Sequence, residues 1–179
     1  RGILDRKGFP ESYDAKRLIN FLFSVKSGKR YLEVPVYSHL FYDIIPDEVQ
    51  VIDQPDILIV EGINVLQVDP DRMEATQQVF VSDFFDFSIY VDADVENIRR
   101  WYVDRFIKLQ QTAFNNPDSF FTRFADLPLE EAKAIANQIW EEINLKNLYE
   151  NILPTKFRSS LILEKGTDHA MRSVRLRKV

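Results

Sequence analysis

Asp56-Ile-Leu-Ile-Val-Glu61-Gly62 contains the longest purely aliphatic run of this 179-residue chain, Ile57 to Val60. Aliphatic residues in unbroken succession, bounded by charge and a glycine, predict a strand buried on both faces. Such strands belong to α/β proteins, where helices cover both sides of a parallel sheet. Working outward, Val34 to Tyr42 reads as extended around Pro35, with a turn at Pro46-Asp47. Residues 67 to 78 are polar and read as a surface loop. Phe85 to Val91 predicts a second strand, Ser160 to Leu163 a third and Ser173 to Arg177 a fourth. Arg1 to Pro10 reads as a loop and residues 12 to 26 as a helix, capped by Ser12 or Asp14 and stopped by Gly28. Residues 94 to 114 predict a long helix with the inward stripe Ile98, Tyr102, Phe106, Leu109 and Ala113. After a loop bearing Phe120, Phe121 and Phe124, residues 129 to 150 predict another helix, with Glu130 and Glu131 favouring its N-terminal dipole. Strands separated by long helices indicate an α/β fold with a mostly parallel sheet flanked by helices.

Composition narrows the chemistry. Hydrophobic residues are 45% and charged residues 28%, an ordinary globular balance in a length that suits one domain. No stretch is long and apolar enough for a transmembrane helix, so no membrane partner is expected. The absence of cysteine excludes disulfides and thiolate metal sites, and a reducing, cytoplasmic setting is the expectation. The 5 glycines stand at 2, 8, 28, 62 and 166, and no pair has the spacing of a glycine-rich phosphate loop. The chain opens on Arg1, not methionine, and reads as a piece of something longer. Residues 154 to 179 carry seven basic against two acidic side chains, while the net charge is −5. A basic end on an acidic body suggests an internal partner or an anionic ligand, whereas nucleic acid fits poorly.

Several side chains could carry chemistry. Glu61 ends the aliphatic strand, where ligands gather in open α/β sheets, and Gly62 lets the chain turn closely. The pattern suits a carboxylate that holds or orients Mg2+ beside phosphates, or one that caps the next turn. Tyr37 and His39 share one side of an extended segment, which suits a polar ligand or a mutual hydrogen bond. Arg105 borders the helical stripe and can reach a phosphate, or simply face water. Asn144 interrupts the apolar stripe Ala136, Trp140, Leu148, and a buried amide needs a ligand or a loop to satisfy it. His169, in Gly166-Thr-Asp-His, can stack on a purine or face solvent. Neither a Ser-His-Asp arrangement nor a metal-binding helix motif can be assembled.

Five strings read together are specific: Lys7-Gly-Phe-Pro-Glu-Ser-Tyr-Asp14, Pro35-Val-Tyr-Ser-His-Leu40, Gln54-Pro-Asp-Ile-Leu-Ile-Val-Glu-Gly-Ile-Asn-Val-Leu66, Val81-Ser-Asp-Phe-Phe-Asp-Phe-Ser-Ile-Tyr-Val-Asp92 and Asn151-Ile-Leu-Pro-Thr155. From Lys7 to Lys178 the chain closely resembles bacterial type I pantothenate kinases. The resemblance implies a phosphate-loop kinase fold that uses ATP and Mg2+ to phosphorylate the 4′-hydroxyl of pantothenate, the first step toward coenzyme A. It also implies a cytoplasmic homodimer inhibited by coenzyme A at a site overlapping that of ATP. Carried over by position, Tyr37, His39, Tyr102 and Asn144 are the expected pantothenate contacts. Arg105 is the expected arginine near the transferred phosphate, Glu61 the acid near Mg2+, and His169 the residue packing on adenine. Tyr42, Phe106, Phe114, Phe120 and Phe121 are the expected aromatic wall for the pantetheine arm. Leu109 stands where the family has an aromatic residue, and Phe124 where it has a tyrosine.

The family's phosphate loop, its lysine and its general-base aspartate lie before the segment matching Arg1. Residues 1 to 179 are therefore expected to be the C-terminal part of a single kinase domain, incomplete at the N-terminus and inactive alone. Uridine kinases and phosphoribulokinases share the fold and the acidic strand end. The Tyr37/His39 segment and the Pro10 to Asp14 string favour pantothenate kinase over them. A non-catalytic fragment that binds coenzyme A or pantetheine is the alternative from another class.

Overall fold

The computed structural model describes residues 6–68 and 79–178, so the predicted polar loop at 67 to 78 lies almost wholly outside the described residues. Helix α1 spans Ala15–Lys26. Asp14 caps it, its Oδ1 accepting from the Arg17 amide at 3.0 Å. Gly28 follows the helix at φ +72°, a left-handed value that glycine adopts without a side-chain penalty. Strands β1 (Leu32–Ser38) and β2 (Asp43–Ile52) then pair antiparallel. Their register jumps from Pro35↔Val49 to Tyr37↔Ile44, so β2 bulges where Pro46 and Asp47 stand. The turn expected there is a bulge inside a strand, and Asp47 takes φ +61° to make it.

The second sheet has the order β3-β4-β5, with β3 Ile89–Ala93, β4 Leu161–Lys165 and β5 Met171–Leu176. β3 and β4 run parallel, whereas β4 and β5 form an antiparallel hairpin around Gly166 to Ala170. Among the described residues only one of the three strand pairs is thus parallel, which corrects the expectation of a mostly parallel sheet. At the end of β3 the Asp92 carboxylate pairs with Lys156, and Arg175 of β5 stands 3.7 Å away.

Asp56 to Val60 departs further from expectation. It forms no ladder with any described strand, and Ile57 and Ile59 are 82% and 85% exposed. An aliphatic run forms a buried strand only when neighbours supply both ladders and both covers, and pairing is non-local. Among the described residues β3 also has one unpaired edge, and its Ile89 and Val91 side chains are exposed.

Helix α2 (Val95–Gln110) starts under Asp94, which accepts from the Glu96 amide at 2.9 Å. Helix α3 spans Leu129–Ile139. The two cross where Ala132 and Ala136 are fully buried, and these small side chains leave room for Phe106 and Phe114. Beyond α3 the chain remains helical but widens: Trp140–Asn144 and Leu148–Ile152 have π-helical hydrogen bonding on either side of Leu145–Asn147. Such widenings rotate the following side chains and often mark functional places. No helix among the described residues is long and apolar enough to cross a membrane.

Candidate functional site

Tyr37 near the end of β1 and His39 in the turn just after it lie on one side, where their spacing predicts them. Their ring centroids are 5.2 Å apart at 79°, an edge-to-face contact that leaves the pair exposed. Tyr42 follows at φ +57°, stacked on Phe120 at 5.0 Å and edge-on to Phe121 at 4.9 Å. The Phe120 amide donates to the Leu40 carbonyl at 2.9 Å, tying the aromatic loop to the β1–β2 connection. The expected aromatic wall therefore has two tiers. Tyr42, Phe120 and Phe121 are half-buried, whereas Phe106 and Phe114 belong to the core around α2 and α3.

Tyr102 projects from α2 toward the widened helix, its ring 5.9 Å from that of Trp140. Burial pushes its phenol up, and the Asn144 amide and the Arg105 charge pull it partly back. Asn144 Nδ2 is buried and lies close enough to the Tyr102 hydroxyl to lower its phenol, but it forms no well-aligned hydrogen bond, so this donor is poorly satisfied. Tyr13, Tyr37 and Tyr42 are likewise pushed up, in each case chiefly by burial. Tyr42 feels Tyr37 and Tyr13, and Tyr102 feels Tyr42, so these phenols share one electrostatic neighbourhood.

Sequence reading missed the cation of this cluster. Lys7 Nζ lies 3.6 Å from the centroid of Tyr42 and 5.1 Å from that of Tyr37, and donates to the Tyr42 carbonyl. Its charge draws the Tyr42 phenol back down against burial. The one available signal was its place at the head of the Lys7 to Asp14 string. Lys7 reaches this cluster across 35 residues of sequence, which no local pattern reveals.

The remaining predicted residues stand apart. Arg105 is exposed on α2, one helical turn beyond Tyr102. Glu61 is exposed at the end of the unpaired aliphatic segment. Among the described residues no three His, Asp or Glu side chains gather into a metal site. His169 occupies the β4–β5 turn at φ +66° and stacks on Trp101 at 4.3 Å, with Lys165 5.0 Å from the same indole. Trp101 and Tyr102 are consecutive on α2, so their side chains diverge by about 100° around the helix. The His169 platform and the tyrosine cluster thus occupy different sides of one helix.

An exposed Tyr–His pair, an ammonium over phenol faces, an unpaired buried amide and a nearby arginine together suit a polar, anionic organic molecule. The Phosphoribulokinase / Uridine kinase family matches residues 8–108, more than half of the chain. The chain belongs to this kinase family. An α/β kinase architecture follows, and the β3–β4 pair with its crossover through α2 and α3 is the part of it described here. The chain is also 56% identical over 178 residues to the pantothenate kinase of Chelativorans sp. (strain BNC1), covering 99% of this chain and 56% of that protein. It is 57% identical over the same length to the pantothenate kinase of Yersinia pestis (strain Pestoides F), again with 99% and 56% covered. The chain spans about half the length of these curated relatives.

Proposed function

We propose that this chain supplies the acceptor-binding part of a pantothenate kinase, which transfers the γ-phosphoryl group of ATP to the 4′-hydroxyl of pantothenate. The observation that carries the reading is the meeting of Lys7, Tyr37, His39, Tyr42, Tyr102 and Asn144 around one half-open cluster, in a chain that matches pantothenate kinases nearly end to end. Phosphoryl transfer asks the protein mainly for positioning and charge neutralisation. Tyr37, His39 and Tyr102 offer hydroxyl and imidazole partners to the acceptor's polar groups. The unpaired Asn144 Nδ2 gains an acceptor when such a molecule binds, which removes a buried, unsatisfied donor. Lys7 places positive charge beside an acceptor that is itself a carboxylate. Arg105, exposed next to Tyr102, neutralises charge on the phosphoryl group in transit.

Glu61 would offer Mg2+ one carboxylate, a contribution that suits an ion held mostly by phosphate oxygens and water. When bound with ATP, Mg2+ neutralises phosphate charge. His169 on Trp101 offers an aromatic platform for adenine. The half-buried tier of Tyr42, Phe120 and Phe121 takes the pantetheine arm of coenzyme A, the feedback inhibitor in this reading, and the working enzyme is a cytoplasmic homodimer.

The 179 residues contain no glycine-rich phosphate loop, so on this reading they turn over no ATP alone. That same absence, beside an apolar tier, favours coenzyme A or pantetheine binding without turnover as the behaviour of the isolated chain. Calorimetric titration of pantothenate into the full-length protein tests the proposal. Saturable binding that weakens in Tyr37→Phe and His39→Ala is expected, and binding unchanged in both would remove the site.

A further inference from the structure

The Lys7 to Asp14 string holds a feature that neither the substrate contacts nor the phosphate chemistry uses. The carbonyl of Gly8 accepts two side-chain amides, Asn64 Nδ2 at 2.8 Å and Asn147 Nδ2 at 3.0 Å. Asn147 is buried, and its Oδ1 accepts from Asn151 Nδ2 at 3.0 Å, which fixes the direction of its amide. On the other side of the peptide, the Gly8 amide donates to Ser12 Oγ at 3.0 Å, whose hydroxyl donates to the Phe9 carbonyl. Gly8 sits at φ +99°, a conformation that side-chain-bearing residues rarely adopt. The amide of one left-handed glycine is thus held locally by Ser12, while its carbonyl is clamped by two side chains from distant parts of the chain.

The positions of the clamps are informative. Asn64 follows Glu61 by three residues, and Asn147 follows Asn144 by three residues on the widened helix. Lys7 immediately precedes Gly8 and lies over Tyr42 and Tyr37. One carbonyl thus joins the segment of the ammonium, the segment of the candidate Mg2+ carboxylate and the helix of the unpaired Asn144. We infer that Asn64 and Asn147 are positioning residues, which act through the Gly8 carbonyl to hold the Lys7 ammonium over the tyrosine pair.

A lysine has many rotamers and loses them at a substantial entropic cost when fixed. An anchored backbone directly before it reduces the volume its ammonium searches, which is how a positioning residue lowers KM without touching the acceptor. The effect on catalysis rests on the proposed function, whereas the effect on the placement of Lys7 does not.

The test is a double-mutant cycle in the full-length protein, using Asn64→Ala, Asn147→Ala and Lys7→Met. Each asparagine variant should raise the pantothenate KM about tenfold and leave the ATP KM unchanged, the size of losing a hydrogen bond to a charge-bearing segment. Combined with Lys7→Met, neither should add a further penalty, because the residue they position is gone. Additive penalties would mean ordinary structural roles and would overturn the inference. Should Asn147→Ala fail to fold, the half-buried Asn64→Ala carries the same cycle. A second readout is independent of activity: the Lys7 side-chain methylene protons should show ring-current shifts in the wild type that collapse in both asparagine variants. Shifts retained in both would overturn the inference even where pantothenate is phosphorylated. A wild type that does not phosphorylate pantothenate would remove the proposed function and leave the placement of Lys7 to be decided by these shifts.

Discussion

Phe114 and Phe120 lie six residues apart in one aromatic cluster, yet the first is buried in the core and the second is only half-buried. Phe114 is 4% exposed and contacts Phe106 edge-on at 5.4 Å and Phe121 in a stack at 5.1 Å. Behind it stand Ala132 and Ala136, which cannot swing into a vacated space. Truncating a buried Phe to Ala removes its transfer free energy and leaves a cavity, about 3–5 kcal/mol, and the immobile alanines place Phe114→Ala in the upper half of that range. Phe120 is half-buried, and its main contacts are the Tyr42 stack and the Phe121 edge. Losing one aromatic pair and partial burial costs about 1 kcal/mol. Urea titration followed by far-ultraviolet circular dichroism separates the two. With a slope of about 2 kcal/mol per molar, Phe114→Ala lowers the midpoint by roughly 2 M and Phe120→Ala by roughly 0.5 M. Ligand affinity should rank the other way, with Phe120→Ala weakening coenzyme A binding while its fold persists. Equal midpoint shifts for the two variants would refute the two-tier reading of the wall.

Other consequences are open to direct measurement. In the full-length protein, Arg105→Ala should lower kcat by about a hundredfold or more with a much smaller change in KM, as expected for a group that acts on transition-state charge; steady-state kinetics with unchanged kcat would remove that role. Ile57→Lys with Ile59→Lys should leave the unfolding free energy of the 179-residue chain unchanged to within about 0.5 kcal/mol, because both side chains are more than four-fifths exposed. Sedimentation velocity should show less self-association in that variant, since a charged residue blocks apolar edge contacts.

Burial pushes the Tyr90 phenol up to about 12, with Asp92 adding to the shift. A raised folded value means that the native state holds its proton longer than the unfolded state. The stability is therefore complete below about pH 10 and is lost as pH climbs to about 12, by roughly 3 kcal/mol. Tyr90→Phe should flatten that part of a stability–pH curve, and an unchanged slope would contradict the assignment.

Local physics made much of the fold legible. The Asp14 cap, the glycine stop at 28 and the stripe on α2 follow from rules that operate within a few residues, and they hold in the structure, except that α2 ends at Gln110 and not at 114, which leaves Ala113 exposed beyond the helix. Residues whose state depends on distant partners were read less well. Pro46 and Asp47 carry strong turn signals, but β1 pairs on both sides of them and absorbs them as a bulge. Asp56 to Val60 has the composition of a central strand, yet composition cannot supply a neighbour. The two π-helical widenings leave no mark in the spacing of Trp140, Asn144 and Leu148.

The site divides in the same way. The shared side of Tyr37 and His39 is legible from their i, i+2 spacing, although His39 stands in the turn just past the end of β1. The placement of Lys7 over Tyr42, the Trp101–His169 stack and the double clamp on Gly8 all join segments far apart in sequence. Only the folded chain brings them together.

The central claim is that the tyrosine cluster selects pantothenate as phosphoryl acceptor. Offering the full-length protein pantothenate, uridine and ribulose 5-phosphate together with ATP and Mg2+, and identifying the products by mass spectrometry, tests it most directly. Phosphopantothenate as the sole product is the predicted result, and uridine monophosphate or ribulose bisphosphate as the main product would contradict it.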